Sequence, residues 1–550
     1  LHSKAEHARL SYSQLISTEL IDQSAITNTI RTHRLKTNPH PPTFDPTQIL
    51  TITKTLQSNT TALGLGKSRF TLLMLDSVQP LSPTERKITA TNITQEEHTL
   101  VAFLLWLRLL PTELSALVYT TELHLIPLNM WDDLKPLFDQ IRLQNGIHST
   151  TTLAVWGELV RKIMNLTGRD LLEADWDQEA QRSLPTYPKR DNTLTPDEYF
   201  ELFMETARQL VSEVGSSAAD KRHVTIEEWW STRTATTPSG SSSWRQLATP
   251  YKTKHHKSAD RPNKRAVYAL LPQATINWVT QQPPRIHART STKPEPGRKR
   301  RALYAADDLS TIISSYASWG LEEAMRIDGM VAKQSPADVH NWLSIHQTSL
   351  TTGGYWLSLD YSDFNKEHRW WEQAALNLFF AEMWATSSIP DSKIKYQKTM
   401  AALWTAASYR ARTAQIDGIT KAIHSGLFSG ERNTARDNTL LHNIYKRMMI
   451  KLALAVYPTY HEPAYITMCG DDEDGLHYSM NDAITYYSIG SAVGWHFNPV
   501  KQLLSPTKHE FLQLYLTGAT LPTQPLAAAA VAFSNGNWYK SALLDLMTLP

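Results

Sequence analysis

The sequence predicts a large protein that mixes helices with short strands, of the α/β or α+β class. Apolar residues recur at helical spacing in several stretches, bracketed by start and stop signals. Shorter apolar-leaning runs end in carboxylates or tight polar turns, as strands do. The chain has 550 residues, 41% hydrophobic and 20% charged. That is long enough to bury a sizeable core in roughly three or four subdomains.

Composition excludes several classes. A lone cysteine forbids an intramolecular disulfide and would leave any zinc site to other ligands. This fits a reducing compartment, in which the sequons at Asn59, Asn92 and Asn165 are without consequence. The longest apolar run, residues 100–110, is interrupted by Arg108 and stopped by Pro111. It is too short to span a bilayer and reads as a core helix, and no membrane partner is expected. Leu1 opens a polar, basic stretch without a signal-peptide core.

Along the chain, residues 1–98 are rich in Thr, Ser, Leu and Ile, with prolines at Pro39, Pro41 and Pro42. Gly64, Gly66, Lys67 and Ser68 suggest a phosphate loop, but the required first glycine is Thr61, so the motif is rejected. Val155, Leu159, Val160 and Ile163 form a helical stripe. Thr195 is a candidate N-cap, with Pro196 at the first helical position and Glu198 closing a capping box. Phe200, Phe203, Ala207, Leu210, Val211 and Val214 follow, and Gly215 reads as the stop. Residues 231–243, polar and small with Pro238 and Gly240, read as a loop. The next fifty residues are unusual. Between 252 and 301 stand thirteen basic residues against two acidic ones, net +11 in a chain whose total is +2. The remainder is therefore net acidic, and the basic stretch points to a polyanionic partner.

Three motifs carry chemistry. The run from Trp356 to Leu359 reads as a strand ending at Asp360, followed by a polar turn through Asp363 and Asn365. Residues 464–469 read as a second strand, 470–472 as a tight turn, and 476–479 as the returning strand. Adjacent carboxylates on a turn repel each other unless a cation lies between them. Asp360 and the Asp471–Asp472 pair thus look like two halves of one divalent-metal site, and hard oxygen ligands favour magnesium. A calcium loop over 471–475 has the wrong ligand spacing. Between the two lies Ser429-Gly430 and a long amphipathic helix, through Leu441, Tyr445, Met448, Leu452 and Val456. Thr434 and Asn438 share one face of its first turns. A loop and helix start of this kind can present hydroxyl and amide groups to a ribose 2′-OH.

In order and spacing these motifs resemble the palm motifs of viral RNA-dependent RNA polymerases. Motif A is 360–365, motif B is SGERNTARDN at 429–438, and motif C is Gly470-Asp471-Asp472. GWHFNPVK at 494–501 is similar to motif D, and EFLQLY at 510–515 to motif E. Lys293-Pro294-Glu295 and RKRRALY at 298–304 resemble motif F, and the loop 231–243 resembles the template-guiding motif G. DYSDFNKEH at 360–368, with EFLQL, is most similar to totivirus-like double-stranded RNA viruses of fungi and protozoa. The resemblance covers roughly residues 230–520.

The resemblance implies an α+β right-hand fold. Residues 1–229 would be a helical region packing on fingers at 230–350. The palm would occupy 351–509 with a fingers insertion at about 371–420, and motif E with the start of a thumb 510–550. The chain is then expected to be part of a longer polypeptide. Two magnesium ions, with manganese as the alternative, would be held by Asp360 and Asp471, assisted by Asp472 and the Tyr361 carbonyl. Lys293 and Arg301 would neutralise the incoming triphosphate, with Lys299 and Arg300 as candidates for the same channel, and Lys501 would protonate the leaving pyrophosphate. Ser429, Gly430, Thr434 and Asn438 would surround the ribose. Many plus-strand viral polymerases have a second aspartate where Asn365 stands, so either Asp363 or Asn365 would contact Asn438 and the sugar, with Asn365 favoured. Ser239, Gly240, Lys252, Lys254 and Lys257 would touch template. The implied partners are RNA template and product, ribonucleoside triphosphates and a viral capsid protein, in the virion interior or host cytoplasm. The competing readings are a capsid-associated RNA-binding protein with an inactive polymerase fold, and a reverse transcriptase.

Overall fold

The computed structural model describes residues 97–534 apart from 149–150, 171, 186–192, 220, 238–239, 247–262, 333 and 499. Before residue 97 it describes 1–17, 19–38, 82–85, 88 and 92. Pro39, Pro41, Pro42, Asn59, the 64–68 stretch, Ser239, Lys252, Lys254 and Lys257 lie outside the described residues. The chain divides into two compact units. The first comprises Leu1–Tyr12, Glu173–Lys293 and Ala302–Asn498; the second comprises Ser13–Leu172, Pro294–Arg301 and Pro499–Pro550.

In chain order, the elements that matter to the site are helix α1 (Pro196–Ala219), strands β1 (Ile286–Glu295) and β2 (Lys299–Ala306), helix α2 (Asp308–Ser318) and strand β3 (Tyr355–Leu359). They continue with α3 (Trp370–Thr386), α4 (Ser392–Ser408), β4 (Arg412–Ile416), β5 (Ile419–Ala422) and α5 (Thr434–Val456). The hairpin strands β6 (Tyr465–Cys469) and β7 (Asp472–His477) and helix α6 (Met480–Val493) complete the set. Helices are interspersed with short strands that pair mainly antiparallel, which makes the fold α+β.

The first unit holds two sheets. In one, β6, β7 and β3 lie side by side, all antiparallel, paired from Tyr355↔His477 to Leu359↔Glu473 and from Tyr465↔Leu476 to Cys469↔Asp472. The sequence predicts the return strand at 476–479, but it begins at Asp472, because the hairpin loop is only Gly470-Asp471. Gly470, at φ +63°, makes so short a turn possible. In the other sheet, β1 pairs parallel with β4, and β4 antiparallel with β5. Its apolar face, with Ile286, Ala288, Ala414 and Ile416, is buried together with Tyr304 and Phe428.

The start of α1 behaves as its signal predicts. At the start of α1, Glu198 Oε2 accepts from the Thr195 N–H at 2.7 Å, and the Thr195 hydroxyl accepts from the Glu198 N–H at 3.2 Å. The stop at Gly215 is overturned: α1 runs on to Ala219. A Cβ at Gly215 would lie 2.3 Å from Met383 Cγ, so this glycine permits the close approach of α3. The amphipathic reading of α5 also needs correction. From Arg436 to Lys446 the helix is buried all round, including Arg436, Asp437, Asn438, His442 and Asn443. The Arg436 guanidinium donates to Ser318 Oγ and Asn377 Oδ1, both at 2.8 Å, and to Asp437 Oδ1 at 2.7 Å. Part of the expected loop 231–243 is helical, at Arg233–Thr236. There the Arg233 guanidinium ties the carbonyls of Trp230, Tyr268 and Leu271 together at 2.7–2.9 Å.

The second unit is built on aromatic packing. Helix Glu97–Leu109, the apolar run of the sequence, buries Phe103 and Trp106 among Trp131, Phe138 and Trp156. Helix Leu526–Ser534 adds Ala527, Ala530 and Val531. The helix containing Val155 spans Thr151–Val160, and Ile163 belongs instead to a separate 3₁₀ turn after Lys162, whose φ is +52°. Asn92, one of the sequons, is buried and its amide is engaged by Ile88 O and the Leu128 N–H. The EFLQLY stretch forms the hairpin Lys508–Phe511 and Leu514–Thr517, with Leu512 and Gln513 both at positive φ as a two-residue turn requires. Among the described residues no single helix is long and apolar enough to cross a membrane.

Candidate active site

The register of the β6–β7–β3 sheet brings the two acidic motifs together. Leu359 pairs with Glu473 and Cys469 with Asp472. Asp360, one residue past the last pair on β3, therefore comes level with Asp472, on strands spaced about 4.8 Å apart. The Asn498 N–H donates to the Asp360 carbonyl at 3.0 Å, and Tyr361 bridges Phe497, which holds the segment after β3 in line. The four consecutive acids of the hairpin divide two and two. Asp471 and Asp472 are exposed, whereas Glu473 and Asp474 are buried. Asp474 accepts from Trp342 Nε1 at 2.8 Å and from the Ser358 hydroxyl at 2.9 Å, so it is a structural group.

Helix α5 grips this turn from behind. The Gly470 N–H donates to Thr439 Oγ1 at 2.9 Å, and His442 Nδ1 lies 2.9 Å from the Gly470 carbonyl. His442 Nε2 faces Glu473 Oε2 at 2.8 Å, with both side chains buried. The turn is thus held on both its backbone groups by residues that the sequence did not single out. Their one legible signal is position: Thr439 and His442 follow Asn438 by one and four residues on the same helix.

The same helix holds Asn438, whose Nδ2 donates to Asn365 Oδ1 at 2.8 Å while His368 Nε2 lies 2.8 Å from its Oδ1. Asp363 turns elsewhere, pairing with Lys366 Nζ at 2.7 Å. Lys366 also meets Glu179 at 3.2 Å. Burial alone would raise the Glu179 carboxyl, but Arg182, Lys366 and the Tyr304 hydroxyl hold it below the ordinary carboxylate range.

Ser429 is exposed, on a loop packed against β2. Its hydroxyl accepts from the Tyr304 N–H at 3.2 Å and donates to the Ala302 carbonyl at 3.4 Å. Gly430 donates to the Tyr304 carbonyl at 3.0 Å, and a Cβ on it would fall 2.6 Å from that oxygen, so only glycine fits. The Thr434 hydroxyl donates to the carbonyls of Phe428 and Glu431 at 2.6 and 2.8 Å, closing the loop at the start of α5. Tyr304 stacks on Phe428 with ring centroids 4.9 Å apart, fixing the loop to the strand.

The basic candidates divide between the units. Lys293 is on β1, in the first unit, whereas Lys299, Arg300, Arg301 and Lys501 belong to the second. There Arg300 pairs with Asp170 at 3.5 Å and Arg301 with Glu295 at 3.1 Å. The Lys299 ammonium is held below the usual lysine range, first by burial and then by the charges of Lys501, Lys162 and Arg301. Gly240, at φ +144°, is the template-contact candidate that falls among the described residues. Close to it, Asp308 at the start of α2 is fully buried and accepts from the Ser242 hydroxyl and the Trp244 N–H at 3.0 Å and from the Tyr268 hydroxyl at 2.6 Å, pinning the loop.

The donor set suits a hard divalent cation. Asp360 and Asp472 are neighbouring carboxylates at the sheet end, with Asp471 on the adjoining turn. Burial and then the charges of Asp472 and Asp471 push the Cys469 thiol up to about 11. Among the described residues no cluster of three His, Cys, Asp or Glu side chains is preassembled around a metal position. Magnesium takes one or two carboxylates and completes its shell with water and substrate phosphates.

Residues 88–538 match the viral RNA-directed RNA-polymerase family. The chain is 25% identical over 319 residues to a probable RNA-directed RNA polymerase of Helminthosporium victoriae virus-190S, covering 57% of this chain and 34% of that protein. It is 27% identical over 190 residues to the probable RNA-directed RNA polymerase of Saccharomyces cerevisiae virus L-A, covering 34% of this chain and 12% of the relative. The chain thus spans about a third or less of the length of these relatives. Among solved structures it resembles the BmCPV RNA-dependent RNA polymerase at elongation state, with a TM-score of 0.51 and 14% identity over 73% of this chain and 36% of that one. At that identity the likeness concerns the fold, which is that of a right-hand polymerase. With the family match covering most of the chain, and the acidic sheet end and the Asn365–Asn438 pair inside the matched region, this chain belongs to the viral RNA-directed RNA-polymerase family.

Proposed function

We propose that this chain carries the nucleotidyl-transfer centre of an RNA-directed RNA polymerase that transcribes and replicates a viral double-stranded RNA genome. The observation that carries the reading is the alignment of Asp360 with Asp472 at one sheet end, on a turn held by the helix that also bears Asn438. Asp360 and Asp471 hold divalent ions, magnesium or manganese, with Asp472 and the Tyr361 carbonyl assisting. Bound there, such ions would activate the primer 3′-hydroxyl and neutralise the departing pyrophosphate in an in-line transfer.

The remaining work falls to the chain's own groups. Lys293, Lys299, Arg300 and Arg301 offer positive charge to the triphosphate, and Lys501 donates a proton to the leaving group. Asn438, oriented by Asn365, and Ser429 on its glycine-supported loop read the ribose 2′-OH, while Thr434 keeps the loop closed. Asp363 acts through Lys366. Ser239, Gly240, Lys252, Lys254 and Lys257 guide the template by its backbone, leaving sequence to base pairing. The partners are RNA, ribonucleoside triphosphates and a viral capsid protein, and the site of action is the virion interior or host cytoplasm.

The test is metal-dependent incorporation by the purified protein on single- and double-stranded RNA. Ribonucleotide incorporation that chelation abolishes and magnesium restores is the expected result. Binding of RNA without incorporation under any divalent metal would instead identify an inactive, RNA-binding polymerase fold, and efficient deoxynucleotide use would identify a reverse transcriptase.

A further inference from the structure

An asparagine amide has two unlike ends, and a half-turn of the side chain exchanges a donor for an acceptor. For Asn438 to discriminate a ribose hydroxyl reproducibly, something must set which end faces the sugar. Two contacts do so. The Asn438 oxygen can only accept, and it lies 2.8 Å from Nε2 of His368, so that nitrogen carries a proton and donates. The Asn438 nitrogen donates one N–H to Asn365 Oδ1 at 2.8 Å. With the oxygen taken by His368, the second N–H is left to donate toward the sugar.

His368 is itself immobilised. It is fully buried, and the edge-on ring of Phe364 lies 4.5 Å away. Its other nitrogen, Nδ1, is 3.1 Å from the Tyr445 hydroxyl, which donates to Glu372 Oε2 at 2.9 Å. Glu372 also accepts from the Tyr199 hydroxyl and the Arg369 N–H, both at 2.7 Å. A buried chain of polar contacts therefore runs from Glu372 through Tyr445 and His368 to Asn438, and such a network restrains the side chains within it. The backbone adds a second hold: the His368 carbonyl accepts from the Gly426 N–H, and the Asn365 carbonyl from the Leu427 N–H, each at 2.7 Å. These bonds fix the segment that leads to Ser429.

We propose that His368 is a positioning residue for sugar selection: its Nε2–H pins the Asn438 amide so that the enzyme prefers ribonucleotides over deoxyribonucleotides. The proposal rests on the polymerase reading above. It gives a role to His368 within the DYSDFNKEH stretch.

The test is single-nucleotide incorporation with matched ribo- and deoxyribonucleoside triphosphates by the full chain and by His368→Ala, His368→Gln and Tyr445→Phe. His368→Ala is expected to lower the ribo-to-deoxy ratio of kcat/KM about tenfold, the weight of one lost hydrogen bond, through the KM for the ribonucleotide. His368→Gln, whose amide can still donate, recovers most of the ratio, and Tyr445→Phe falls between. A ratio unchanged in His368→Ala overturns the proposal, as does an equal loss for both nucleotides. Should that variant not fold, an unchanged ratio in Tyr445→Phe does the same. An unsubstituted chain that incorporates nothing defeats the polymerase reading and this inference with it; normal activity with an insensitive ratio defeats only the role of His368.

Discussion

The Asn438 amide donates to Asn365 Oδ1 at 2.8 Å, while Asp363, two residues earlier, turns away to Lys366 at 2.7 Å. The sequence left both residues open as the partner of Asn438, and the turn after β3 separates them. Asn365→Asp keeps an oxygen acceptor for Asn438, so nucleotide selection should change less than about threefold. Asn365→Leu removes the acceptor and should cost about tenfold in the ribo-to-deoxy ratio. Paired kcat/KM measurements with both nucleotide classes check this.

Asp471 is exposed on the hairpin turn and carries no structural bond among those that hold the turn, which run through Gly470. Asp471→Ala should therefore leave the melting temperature within about 2 °C. Incorporation should fall by about a thousandfold or more. Thermal melts and a primer-extension assay on one preparation separate the two effects.

Thr439 supplies the oxygen that receives the Gly470 N–H at 2.9 Å. Thr439→Val keeps the shape and removes the acceptor, at a cost of about 1 kcal/mol in stability. The loosened turn should lower kcat about tenfold with little change in KM, because positioning of the reacting groups is lost rather than binding. Steady-state kinetics at saturating template reads the split.

Gly430 has no room for a methyl group, since a Cβ would lie 2.6 Å from the Tyr304 carbonyl oxygen and 3.0 Å from Ala305 Cα, both backbone atoms. Gly430→Ala should push the Ser429 loop off β2 and cost about 1–3 kcal/mol. Denaturant midpoints measure the destabilisation, and a raised KM for ribonucleotides reports the displaced loop.

His477 is fully buried at the end of β7, and burial depresses its imidazole to about 4, against the opposing charges of Glu473 and Asp482. The folded protein keeps it neutral, whereas the unfolded chain binds a proton near pH 6.5. Stability present above pH 6.5 is therefore lost as pH falls toward 4, by about 3 kcal/mol from this group. Urea midpoints should drop between pH 7 and pH 4, and drop less in His477→Asn.

Much of the site was legible because its chemistry is local. A strand ending in Asp360, a Gly-Asp-Asp hairpin and a helix starting near Thr434 each announce themselves within about ten residues, through apolar alternation, turn residues and helical spacing. The α1 capping box was legible for the same reason. What failed were inferences that needed a neighbour. Gly215 looks like a stop until Met383 is seen against it, and α5 looks amphipathic until its polar face is seen buried against Ser318 and Asn377.

By itself, then, the sequence determined the residue types, their order and the local elements that carry them, and these sufficed for the family and for a strand leading to Asp360 and a hairpin turn at Gly470-Asp471. Only the tertiary structure decided which groups meet. It set Asp360 level with Asp472, chose Asn365 over Asp363, and recruited His368, Thr439 and His442 to hold Asn438 and the Gly470 turn. The physical reason is that a hydrogen bond acts over about 3 Å in space, whatever the separation in sequence. His368 and Asn438 are seventy residues apart along the chain, and only strand register and helix packing bring them within reach.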